Sequence, residues 1–129
     1  MKFYSHAKES NGVKLGSKLL INHLTGVSRN AISNSTDIVN FDLSQDEIIQ
    51  IIEEITKFHD LGKYTSFFQN YLLGKNTDSE LKKHSRIGAF AILNKNISNP
   101  ILALWQYFII INHHSSFDDI ISNLEMSSK

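Results

Sequence analysis

The chain has 129 residues, of which 41% are hydrophobic, and 13 basic residues balance 13 acidic ones. This suffices for one domain with a real core, is too short for two comfortable ones, and argues against disorder as the global state. Zero net charge means that any basic footprint for nucleic acid must be local, and the absence of cysteine excludes disulfides, thiolate metal sites and cysteine nucleophiles.

The opening segment, MKFYSHAKES, lacks the apolar core of a signal peptide, and strand signals are poor along the chain. LGSKLLINHLTGVSRNAIS (15–33) carries apolar residues at 19, 20, 24 and 27, which is helical spacing slightly weakened by Gly26. NSTDIVNFDL (34–43) reads as a loop. Ser44 and Glu47 form a capping box, and Ile48, Ile49, Ile51, Ile52, Ile55 and Phe58 give the following helix a broad buried face. That helix is expected to end between Asp60 and Gly62. YTSFFQNYLLG (64–74) predicts a short helix closed by Gly74, and KNTDSELKK (75–83) a polar connection. HSRIGAFAILNKN (84–96) predicts a helix in which Gly88 and Ala89 permit close packing.

Asn99 and Pro100 supply an N-cap and a proline at the first helical position. The helix they start runs to about Asn112 and is apolar nearly all round, so it is expected to be central. Its run ILALWQYFIII (101–111) contains Gln106 and is too short to span a bilayer, which makes cytoplasm the expected location. SSFDDIISNLEM (115–126) predicts a last short helix, with Asp118 and Asp119 in its first turn. The expected fold class is all-α, a helical bundle forming one domain over residues 1–129.

With no thiolate available, a metal would be held by imidazole, carboxylate and water, a donor set that suits manganese, iron, cobalt, nickel or zinc. The histidines are His6, His23, His59, His84, His113 and His114. His23 falls inside one predicted helix, His59 and Asp60 end the next, His84 begins another, and His113 and His114 close the most apolar one. Helical bundles bring such positions into one pocket and build di-metal sites from them. Asp60 is ill placed at a helix C-terminus, where the dipole favours cations, so a metal partner would explain it. The plainer reading of any single buried histidine is a hydrogen-bonded core residue. Lys63 reads equally as a solvated terminal charge. Lys82, Lys83 and Arg86 read as a solvated face, and His6 as an exposed residue.

HDLGK (59–63), followed by FFQNYL (67–72), resembles the HD-type nuclease domain of type I CRISPR interference. SHAKES (5–10), LLINHLTGVSRNA (19–31), KKHSRIGAF (82–90) and INHHSSFDD (111–119) extend the resemblance over nearly the whole chain. The His-Asp pair is shared by many HD phosphohydrolases; the Gly-Lys and Phe-Gln that follow point to the CRISPR branch. The resemblance implies that His23, His59 and Asp60 hold one metal. Asp60 would bridge to a second, held by His84, His113 and His114, and Lys63 would stand near the phosphate. Asp60 and Lys63 would thus be the catalytic residues. His6 would be peripheral to the metals.

The implied reaction is hydrolysis of single-stranded DNA by up to two ions of manganese, iron, nickel or cobalt, with magnesium as a further candidate. The implied partners are a superfamily 2 helicase, fused or separate, and the Cascade surveillance complex, with no membrane. The family carries a further aspartate on a later helix, and no residue here matches it. The chain is therefore expected to be an N-terminal portion of the HD domain, incomplete at its C-terminal end and exposing apolar surface. Two alternatives stand beside this reading. One is an HD phosphohydrolase of nucleotides or cyclic dinucleotides, and the other is a catalytically incomplete metal-binding fragment.

Overall fold

A computed structural model describes residues 2–36, 43–75 and 83–114. Its elements are β1 (Tyr4–Ser10), β2 (Val13–Leu19), α1 (Leu20–Asn34), α2 (Gln45–Phe58), a 3₁₀ turn (Leu61–Tyr64), α3 (Ser66–Leu72), α4 (Ser85–Lys95) and α5 (Pro100–Ile111). The helix expected over 115–126 lies outside the described residues.

The all-α expectation is overturned by β1 and β2, which pair as a two-stranded antiparallel sheet, so the fold is mixed. Ser10 pairs with Val13 across Asn11-Gly12, both of which have positive φ, at 51° and 74°. Asn-Gly is the pair that a two-residue hairpin turn prefers, because both central residues must sit in the left-handed region. Residues 15–19, read from sequence as the first turn of a helix, are instead strand, and Leu19 becomes the N-cap position of α1.

The hairpin packs on the centre of the chain through a few specific contacts. The Phe3 ring meets Tyr64 of the 3₁₀ turn edge-on at 5.1 Å. The buried Gln69 side chain accepts from Tyr4 N–H at 3.0 Å and donates to Tyr4 O at 2.8 Å and Lys63 O at 2.7 Å. One amide thus bridges β1, α3 and the 3₁₀ turn.

Ser44 caps α2 as the sequence indicates. Its hydroxyl accepts from Glu47 N–H, and Glu47 reaches back to Ser44 N–H at 2.8 Å. Asn99 caps α5 through Leu102 N–H, with Pro100 in the first turn. The apolar core is Ala89, Ile92 and Ile110, packed by Ile55, Phe58, Tyr107 and Ile111, where α4 and α5 meet the end of α2. Gly88 makes that approach feasible: a Cβ there would stand 3.0 Å from the Phe58 carbonyl carbon and closer still to its oxygen.

Two features depart from the hydropathy reading. The expectation of a central α5 is corrected, because only Ala103, Gln106 and Ile110 on it are buried, while Ile101 and Trp105 are 72% and 67% exposed. The second is a buried polar knot beneath the core. Glu54 accepts from Gln106 at 2.9 Å and from Asn96 at 2.8 Å, and pairs with Lys95. It ties α2 to the end of α4 and to α5, and satisfies the amide that interrupts the apolar run. No helix among the described residues is long and apolar enough to cross a membrane.

Candidate metal centre

The centre is assembled almost wholly from element ends. His23 comes from the first turn of α1, His59 is the C-cap of α2, and Asp60 precedes the 3₁₀ turn. His84 is the N-cap residue of α4, and His113 and His114 follow α5 after Asn112. His59 keeps helical dihedrals at φ −53° and ψ −37°, but Asp60 leaves them at φ −111° and ψ 16°, which lets the adjacent pair turn into one site.

Asp60 is 1% exposed and sits at the middle of the group. Its Oδ2 lies 2.9 Å from His23 Nε2, 3.3 Å from His59 Nε2 and 2.8 Å from Lys63 Nζ. Its Oδ1 lies 3.1 Å from His84 Nε2 and 3.5 Å from His113 Nε2. His84 Nε2 and His114 Nε2 are 2.9 Å apart. Among the described residues two sets of potential metal ligands result, His23–His59–Asp60 and Asp60–His84–His113–His114, each offering donor atoms within 4.8 Å of one another. Asp60 belongs to both.

The tautomers give the arrangement its chemical meaning. His59 Nδ1 is 2.7 Å from the Thr56 carbonyl, and His113 Nδ1 is 2.6 Å from the Ile110 carbonyl. A carbonyl oxygen only accepts, so in both rings Nδ1 carries the proton. The carbonyls belong to the last turns of α2 and α5, where no intrahelical donor remains. In the neutral ring Nε2 is then a lone pair, directed at a carboxylate oxygen that also holds only lone pairs. This conflict is visible in the hydrogen bonding: Asp60 Oδ1 and His113 Nε2 are buried, and neither has a hydrogen bond of acceptable geometry. A cation held by both would remove the repulsion. Protonating every ring would instead gather four imidazoliums and the Lys63 ammonium around one carboxylate. The donor set, imidazole Nε2 with a carboxylate, fits a borderline divalent ion.

The electrostatics run the same way. Burial opposes charge on Asp60, but positive charge on its neighbours outweighs it, whether as protons on the facing nitrogens of His113, His59 and His84 and the Lys63 ammonium or as a cation in place of those ring protons, so its pKa is held well below the carboxylate range. Burial pushes His23 down from its ordinary value, with Asp60 pulling the other way. Burial, then the neighbouring His113 and His84, push His114 down to about 4. His114 is therefore a neutral donor at physiological pH.

Lys63 is neither solvated nor at the surface. It is 8% exposed and lies over the Phe68 ring at 5.5 Å, with its ammonium on Asp60. His6 is exposed and lies outside both ligand sets, although its ring meets His23 edge-on at 5.3 Å. Gln69 has a role that sequence reasoning missed: it holds the carbonyl of Lys63, and through it the turn that follows Asp60. The Phe-Gln pair marked the residue without revealing that role. Comparison of this chain with protein-family models, with curated proteins and with solved structures finds no match.

Proposed function

We propose that this centre is a two-metal phosphodiesterase site of the HD type, which hydrolyses single-stranded DNA in type I CRISPR interference. The observation that carries the reading is Asp60, a buried carboxylate whose two oxygens face two separate groups of imidazoles, with Oδ1 lacking a hydrogen bond. Divalent ions bound there would polarise a phosphoryl oxygen and lower the pKa of a water molecule. The chain's own residues supply the frame. Asp60 serves both ligand sets, and His59 and His113 present Nε2 because their Nδ1 protons are committed to helix carbonyls. Lys63 balances the charge of Asp60 before metal enters and offers a cation to a phosphate afterwards.

Manganese, iron, nickel, cobalt and magnesium are the candidate ions. A chain with zero net charge has little field of its own to recruit DNA, which favours delivery by a superfamily 2 helicase acting with Cascade in the cytoplasm. The alternative, a nucleotide phosphohydrolase, requires an enclosed pocket. The exposure of His114 at the edge of the second ligand set favours a strand that passes across the site.

The test is metal content per chain after purification with added manganese, paired with cleavage of a fluorescent single-stranded DNA. Up to two ions and strand cleavage are expected. Asp60→Ala is expected to lose more metal than any single histidine change, and His113→Ala combined with His114→Ala to lose one ion. Equal metal in Asp60→Ala and wild type would overturn the bridge, and absence of metal from the wild type would overturn the reading.

A further inference from the structure

The two oxygens of Asp60 stand in unequal surroundings. Oδ2 takes the Lys63 ammonium at 2.8 Å and lies 2.9 Å from His23 Nε2, with His59 Nε2 at 3.3 Å. A carboxylate oxygen only accepts, so His23 Nε2 donates to it. Oδ1 faces His84 Nε2 at 3.1 Å and His113 Nε2 at 3.5 Å, and accepts no hydrogen bond of acceptable geometry. The unmet capacity of this buried carboxylate is therefore concentrated on Oδ1, next to His113 Nε2, which is buried without a hydrogen bond as well.

The ammonium on Oδ2 is held in place. Lys63 is buried, and its Nζ lies over the Phe68 ring at 5.5 Å. Its backbone N–H donates to Asp60 O at 2.9 Å, and its carbonyl accepts from Gln69 Nε2 at 2.7 Å. An ion pair buried in this way is poorly screened by salt. A metal ion on Oδ2 would compete with the ammonium for one oxygen and be repelled by it at short range. It would also displace the His23 hydrogen bond. An ion on Oδ1 displaces no hydrogen bond of that oxygen. Its ligand set offers three imidazoles, from His84, His113 and His114, where the other offers two.

We propose that Lys63 makes the two ligand sets unequal: the set of His84, His113 and His114 takes the first ion tightly, and the set of His23 and His59 takes a second only as the Lys63 ammonium leaves Oδ2. The inference rests on the two-metal reading, and adds to it an order of filling and the residue that imposes the order. At limiting metal the centre holds one ion, with Oδ2 still paired to Lys63. Lys63 is thus a positioning residue that acts through Asp60, and its charge decides whether Oδ2 is open to a second ion.

The experiment is calorimetric titration of the metal-free full chain with manganese, with circular dichroism to establish that each variant folds. Wild type is expected to bind one ion tightly and a second about tenfold or more weakly. Lys63→Met removes the charge at similar side-chain length, and is expected to tighten the weaker ion about tenfold or more. Lys63→Arg keeps the charge and is expected to keep the wild-type inequality. His23→Ala is expected to lose the weaker ion alone, and His113→Ala the tighter one. Two ions of equal affinity in wild type, loss of the tighter ion in His23→Ala, or a Lys63→Met isotherm identical to that of wild type would overturn the order of filling and leave the two-metal reading standing. No manganese bound by wild type or by Lys63→Met would overturn both. If Lys63→Met does not fold, His23→Ala and His113→Ala decide the matter, because the tight ion must survive the first change and be lost in the second.

Discussion

Gly62→Ala is the sharpest test of how the centre is held together. Gly62 lies two residues after Asp60, in the 3₁₀ turn, and faces the backbone of His84. An added Cβ would stand 2.7 Å from His84 Cα and 2.8 Å from its carbonyl carbon, and closer still to the carbonyl oxygen. Carbon atoms at rest sit about 3.5–4.0 Å apart, so the turn and the start of α4 must separate by about 1 Å. Both sides of the clash are backbone, and no side chain can rotate away to relieve it. Overpacking of this kind costs about 1–3 kcal/mol.

The functional effect is expected to exceed the loss of stability. His84 Nε2 is now 3.1 Å from Asp60 Oδ1, and metal–ligand distances tolerate only about 0.2 Å of change. A displacement of about 1 Å therefore separates His84 from Asp60 as co-ligands. Urea denaturation and calorimetric titration with manganese are the assays. Gly26→Ala is the matched control, because its Cβ would meet nothing within 4 Å on α1, and it is expected to stabilise the chain by about 1 kcal/mol through helix propensity. If Gly62→Ala matched wild type in both stability and manganese stoichiometry, the argument from close approach would be wrong.

Two further outcomes follow from the polar contacts. Gln69→Leu leaves Tyr4 N–H, Tyr4 O and Lys63 O without their present partner, at a cost of about 3 kcal/mol, and the Tyr4 amide should exchange its hydrogen faster than in wild type; unchanged protection there would show that Gln69 does not anchor β1. Burial raises the pKa of Glu54, but Lys95, Gln106 and Asn96 outweigh it and lower the carboxyl from 4.5 to about 2. A depressed carboxyl pKa contributes stability that is present above pH 4.5 and is lost as pH falls towards 2. The urea midpoint of wild type should therefore fall more steeply over that interval than that of Glu54→Gln, and parallel curves would refute the role of the knot.

The helices were legible where their ends carry chemical signals. Ser44 with Glu47, and Asn99 with Pro100, fix two starts through hydrogen bonds local to the sequence. The hairpin was missed for a physical reason. Val13, Leu15 and most of β2 are exposed, so no buried alternating face announces a strand, and Leu19 and Leu20 extend a helical pattern backwards into it. Asn11-Gly12 was the available signal. The α5 reading failed because uniform hydropathy does not specify which face meets a neighbour. Placement of the histidines at element ends could be read from sequence; the direction of each ring could not. His59 and His113 depend on carbonyls left over by helix ends, and Gln69 and Glu54 act on residues distant in sequence.

The origin of His59, Asp60, His84, His113 and His114 at element ends has a consequence for insertions and deletions. One residue added within the last turn of α2 or α5 would swing the following ligand by about 100° around the helix axis and carry it away from Asp60. One residue added between α1 and α2 leaves the phase of every helix intact. The centre therefore divides the chain into stretches whose length is free to drift and turns in which a single-residue change is lethal to the site. His113 and His114 make that boundary abrupt, because they follow α5 with only Asn112 between.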